Sequence, residues 1–158
     1  MLAGSINHIS ITVTDIEIAV RMLRPFLEAL HFVVPDNLQT QPVVCISRRT
    51  GMGFNFWRTK PEYRERQFQL YATGLHHIAF NAESRTQVDS LFEIVKAQEM
   101  EVLDAPAEWP YTAVGTYYAF YFKGPDGLKF ECVHMSALEH VYRGKGVLDE
   151  NVWADGVA

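Results

Sequence analysis

Residues 6 to 13, INHISITV, alternate: Asn7, Ile9, Ile11 and Val13 share one mostly apolar face, while Ile6, His8, Ser10 and Thr12 share the other. Period two predicts a strand whose apolar side lies on a core and whose polar side faces away from the helices. The period then lengthens. Ala19, Met22, Leu23, Phe26, Leu27 and Leu30 recur at helical spacing behind Thr14-Asp15-Ile16-Glu17, a capping-box pattern. Pro25 is expected to kink that helix or to begin a second one. Further along, GLHHIAFN at residues 74 to 81 reads as another strand, and Val88, Leu91, Phe92 and Val95 follow at i, i+3, i+4 and i+7, with Ser84 and Gln87 as their capping box.

The chain is therefore written twice. Each copy ends in strand, Gly-containing turn, strand: CISRRTGMGFNFW at 45–57 and YAFYFKGPDGLKFECVH at 118–134. Four positions separate Gly51 from Asn55 and Gly127 from Glu131, so the copies share a register as well as a composition. The expected fold is α+β, with two βαβββ modules forming a pseudo-symmetric open barrel. Module 1 covers about residues 5–60 and module 2 about residues 74–135, split by the polar stretch Lys60 to Gln69. Residues 136–158 form a tail outside the repeat. Its Leu138, Val141, Tyr142, Val147 and Trp153 suggest packing on the domain or on a second subunit.

Composition narrows the function classes. With 158 residues, 48% apolar and 13% aromatic, the chain can bury a real core. A formal charge of -5 and scattered cations, apart from Arg48-Arg49 and Arg64 to Arg66, argue against nucleic acid as a partner. The opening MLAGSINHISITV has no basic run before its apolar stretch, and no segment reaches the roughly 18 uninterrupted apolar residues of a membrane span. A soluble, cytoplasmic protein is expected. Cys45 and Cys132 both lie in strand-like apolar runs and read as reduced core residues.

The same alternation sorts the polar residues. His77, Ala79 and Asn81 should face opposite to Ile78 and Phe80, with His76 on the helix side, so His77 matches His8. In the last strand Phe130 and Cys132 point to the core, which sends Lys129, Glu131 and Val133 into a cleft. A buried carboxylate without compensation costs several kcal/mol, and a metal ion is a natural partner for it. His8, His77 and Glu131 form a 2-His-1-carboxylate set, which leaves coordination positions open for substrate or water. Fe, Mn, Zn, Ni or Co would each suit this one-ion site. His31, His76, His134 and His140 read as structural or surface residues.

With NHISITVTD, GLHHIAF and GPDGLKFEC in order, the chain resembles the glyoxalase, bleomycin-resistance and extradiol-dioxygenase superfamily, the vicinal oxygen chelate proteins, over about residues 5–135. The resemblance implies one such domain with ligand positions at His8, Asn55, His77 and Glu131. Gly124 replaces the first Asp of the usual turn, and Asn55 stands where a four-ligand member has an acid. In glyoxalases of the superfamily such an acid is both ligand and proton shuttle. An amide is a poor ligand and no base, so Asn55 would bond substrate or metal-bound water, or neighbouring backbone. Tyr121 and Ser10 match substrate-contacting positions of the thiol-transferase branch, although Tyr121 also suits plain lining of the barrel. Trp109-Pro110-Tyr111 reads either as an aromatic rim or as packing.

Two functions follow from the resemblance. The first is a metal-dependent enzyme acting on a small oxygen-rich substrate, with dioxygenase, thiol-transferase and lyase or isomerase chemistry all open. The second is a metal-free, ligand-sequestering protein resembling the bleomycin-resistance members. A homodimer is expected in either case, because strand edges need covering.

Overall fold

Asp15 opens the first helix, and its neighbour Thr14 explains why. In the computed structural model, which describes residues 5–113 and 115–138, the Thr14 amide donates to Asp126 Oδ2 at 2.8 Å. The cap falls one residue after Thr14, with Asp15 Oδ1 accepting from the Ile18 amide at 3.0 Å. Helix α1 (Ile16–Ala29) runs through Pro25 as one element and buries Ile16, Ala19, Val20, Leu23, Phe26 and Leu27. The strands around it are β1 (His8–Val13), β2 (Phe32–Val33), β3 (Val43–Ser47) and β4 (Gly53–Arg58). They form a sheet of order β1-β4-β3-β2, in which only the β1–β4 pair is parallel.

The second half repeats this order. It comprises β5 (Ile78–Asn81), α2 (Arg85–Ala97), β6 (Val102–Glu108), β7 (Tyr117–Lys123) and β8 (Lys129–Met135), with sheet order β5-β8-β7-β6 and β5–β8 as the parallel pair. Ser84 caps α2 by accepting from the Gln87 amide, and the Gln87 side chain accepts from the Glu83 amide, which closes the predicted box one residue upstream. Val88, Leu91 and Val95 are buried, and Phe92 meets Phe120 edge-on at 5.5 Å. Both turn glycines, Gly51 and Gly127, have φ near +75° (73° and 78°), a conformation that a side chain resists. The fold is thus α+β, built from two βαβββ modules of two four-stranded mixed sheets and two helices.

The chain divides into two compact units. One takes the described residues up to Gln69 together with Gly124–Leu128; the other takes Leu70–Lys123 and the described residues from Lys129 onward. In the first, Ile11, Val13, Val43, Cys45, Phe54 and Phe56 join α1 in the core. Phe80, Phe120, Phe122, Phe130 and Cys132 do the same in the second, with Phe122 stacked on Phe130 at 5.4 Å. Both cysteines are free and buried, and burial pushes the Cys45 thiol up to about 11, with nearby Arg24 pulling slightly the other way. No helix among the described residues is long and apolar enough to cross a membrane. The tail residues Val141, Tyr142, Val147 and Trp153, and His140, lie outside the described residues.

Candidate functional site

The ladders put the repeat on a structural footing. Ser10 pairs with Asn55 across β1 and β4, and Ala79 pairs with Glu131 across β5 and β8. Ser10 and Ala79 each sit two residues after a histidine, so His8 and His77 are equivalent, as are Asn55 and Glu131.

In the second unit, His77 and Glu131 come together. Glu131 is 1% exposed, on the sheet face opposite α2, and β7 lies beside it with Tyr121 directly across. Its Oε2 lies 2.9 Å from His77 Nε2, while Oε1 accepts from Tyr117 Oη at 2.5 Å and from Tyr121 Oη at 3.1 Å. Burial, and then the hydrogen bond and charge of Glu131, hold the Tyr117 phenol far above its ordinary range. For Tyr121 burial again leads, followed by the charge of Glu131. Both phenols therefore remain donors, and one carboxylate oxygen is committed to them.

The face around this carboxylate is lined by the unit's own aromatic residues. Trp109 Nε1 donates to the Ala119 carbonyl at 3.1 Å, stacks on Tyr111 and meets Tyr121 edge-on; Tyr111 meets Tyr117 in the same way. Packing, one of the two fates open to the Trp109-Pro110-Tyr111 loop, is what these contacts show. Lys129 Nζ sits 4.3 Å from the centre of the Tyr121 ring. Tyr117 is the residue that sequence reasoning missed. It shares a strand face with Tyr121, so alternation could have found it.

The first unit holds the other candidates. His8 is exposed, and its Nδ1–H donates to Asn7 Oδ1 at 2.8 Å, which leaves the Nε2 lone pair unused. Asn55 is 8% exposed; its Nδ2 donates to Ser10 Oγ at 3.4 Å, and its Oδ1 is buried without a partner. A buried carbonyl oxygen lacking a donor is unfavourable by about 1–3 kcal/mol unless a ligand supplies one. Gly53 keeps the place open, since a Cβ there would lie 3.0 Å from His8 Cβ and 3.3 Å from Asn55 Oδ1.

His76 is a surface residue, one of the two readings open to it, but it is not placed by strand alternation. Because β5 begins only at Ile78, strand alternation does not govern His76, and it is exposed beside His77 with the two Nδ1 atoms 2.7 Å apart. Among the described residues no three His, Cys, Asp or Glu side chains gather as a metal cluster; His77 and Glu131 meet in one unit, and His8 belongs to the other.

Known proteins agree with this architecture. A protein of Bacillus subtilis, the uncharacterized YqjT, is 28% identical over 127 residues, covering 80% of this chain and 96% of its own. Among solved structures, a Bacillus halodurans protein matches with a TM-score of 0.68 at 23% identity, over 84% of this chain and 96% of that one. A glyoxylase/bleomycin resistance protein/dioxygenase domain from a Frankia species matches with a TM-score of 0.66 at 20% identity, over 85% and 99%. These two likenesses show the fold. The family model that describes the Glyoxalase/Bleomycin resistance protein/Dioxygenase superfamily matches residues 5–132, and the doubled module, the ladder register and that match together establish that the chain belongs to this superfamily.

Proposed function

We infer that this protein is a divalent-metal-dependent enzyme acting on a small oxygen-rich substrate, with His8, His77 and Glu131 as the protein ligands of one Fe, Mn, Zn, Ni or Co ion. The observation that carries the reading is the buried Glu131 carboxylate, which keeps Oε2 turned to His77 Nε2 at 2.9 Å while two phenols hold Oε1. Two donor atoms each about 2.1 Å from one ion stand about 3.0 Å apart when adjacent in an octahedral shell and about 3.4 Å apart in a tetrahedral one. The pair is therefore within a few tenths of an ångström of the spacing of two adjacent ligands, and ligation requires that the proton leave Nε2. His8, from the same chain or from a second copy, offers an Nε2 whose lone pair its Asn7 contact leaves available.

A bound divalent ion would supply Lewis acidity toward adjacent substrate oxygens. The chain's own residues do the rest. Tyr117 and Tyr121 fix the Glu131 rotamer and stabilise its charge, and Trp109 and Tyr111 pack beside them. Asn55 Oδ1 accepts a substrate hydroxyl or N–H, with Ser10 Oγ orienting the amide, and Tyr121 is a further substrate contact. A homodimer is the working unit; light scattering should give twice the 18.0 kDa of one chain, and a clean monomer mass would contradict it.

The test is turnover with and without chelator. Protein loaded with each metal is offered a catechol with oxygen, or an epoxide with a thiol, and chelator-sensitive turnover of either is expected. Ligand binding that chelator leaves unchanged, with no turnover under any metal, would favour the sequestering reading instead.

A further inference from the structure

Two imidazole nitrogens 2.7 Å apart cannot both carry a proton, nor can both present a lone pair; one must donate to the other. His77 Nε2 faces Glu131 Oε2, and a carboxylate has only acceptors to offer, so in the ion-free chain with His77 neutral its one proton is on Nε2. A neutral imidazole has a single N–H, which leaves His77 Nδ1 bare. The donor between the two rings is then His76 Nδ1–H. That is the tautomer which a histidine free in water disfavours, so His76 is held in it by its neighbour. Once His77 Nε2 is committed as a ligand, the requirement reverses: His77 must carry its proton on Nδ1 and His76 Nδ1 must accept.

From this geometry we propose that His76 is the positioning residue for His77, the partner that fixes which of its nitrogens is protonated and which way the ring faces. The proposal rests on the metal reading above for its second state only. His77 gives up the Nε2 proton to water and receives one at Nδ1 from His76, which takes one at Nε2 from water, so neither the pair nor the solvent gains or loses a proton. The rings are set for this, with centroids 5.0 Å apart at 76° and the Tyr71 ring 5.5 Å from His76. A metal-ligating imidazole is oriented by whatever its second nitrogen meets, and loss of such a partner typically weakens metal binding about 10- to 100-fold.

The experiment is nitrogen NMR on histidine-labelled protein near pH 8.5, where an ordinary imidazole is neutral, before and after zinc, with zinc affinity measured in parallel. Zinc-free protein should show His76 protonated on Nδ1 and His77 on Nε2; with zinc, both should exchange. His76→Phe should weaken zinc binding about 10- to 100-fold and shift the His77 Nδ1 resonance, while His76→Gln, which can donate or accept, should restore affinity to within about threefold. His76 protonated on Nε2 in the zinc-free protein would overturn the proposal, as would a His76→Phe variant with unchanged His77 resonances. Failure of the wild type to bind zinc would instead count against the metal reading, and the zinc-free spectrum would still decide the role of His76.

Discussion

Glu131→Leu is expected to lower the stability of the chain by about 3–5 kcal/mol, because it leaves the donors of a buried charged cluster without their acceptor. Tyr117 and Tyr121 both donate into Oε1, and His77 faces Oε2. Leucine fills the volume but accepts nothing, and the buried phenols cannot reach water without breaking the packing of Trp109 and Tyr111. Glu131→Gln separates this effect from charge. Its amide oxygen still accepts from the phenols, and its NH₂ can donate to His77 Nε2 once that ring carries its proton on Nδ1, so the cost should be nearer about 1 kcal/mol. Urea unfolding of the two variants at equal slope checks the difference. A Glu131→Leu midpoint close to the wild type's would mean that the carboxylate is not the acceptor on which this face depends.

The second large effect concerns the missing acid. Asn55 occupies the ladder position of Glu131 in the other module, yet it presents an amide. If a glyoxalase reaction needs a base at that position, then a neutral amide forfeits the roughly 10² to 10⁴-fold that general base catalysis contributes. Turnover of methylglyoxal with glutathione should accordingly be poor whichever metal is loaded. Asn55→Glu should raise it about 100-fold. A wild-type kcat/KM on the order of 10⁶ M⁻¹s⁻¹ would show that the amide is no handicap. A dead Asn55→Glu variant that binds metal normally would move the limitation from the missing acid to the shape of the pocket.

Much of this is legible in the residues because it depends on local period. Alternation along His8–Val13 and Ile78–Asn81, helical spacing from Ala19 and Val88, and the equal distances from Gly51 to Asn55 and from Gly127 to Glu131 each reappear as strands, helices and a shared ladder register. What escapes local period depends on long-range contacts. The Thr14 amide bonds to Asp126, 112 residues later, and the cap passes to Asp15. Tyr117 stands four residues from Tyr121, about 13 Å along a strand, and reaches Glu131 past the small Ala119; alternation assigns the face but not that reach. His76 lies outside the strand that was expected to orient it. The face bearing Glu131 was expected to line a cleft, and within its own unit its neighbours Tyr117, Ala119 and Tyr121 are packed against by Trp109 and Tyr111 of the β6–β7 connection and by Leu103, contacts that no periodicity encodes.

The central claim is that three side chains from two modules hold one divalent ion. Elemental analysis of protein purified without chelator, for the wild type and for His8→Ala, His77→Ala and Glu131→Gln, tests it most directly. Loss of one ligand of three should sharply reduce affinity, so the account predicts about one ion per chain in the wild type and little in each variant. Metal retained undiminished in all three variants, or a wild type that holds none even after incubation with each candidate ion, would contradict it.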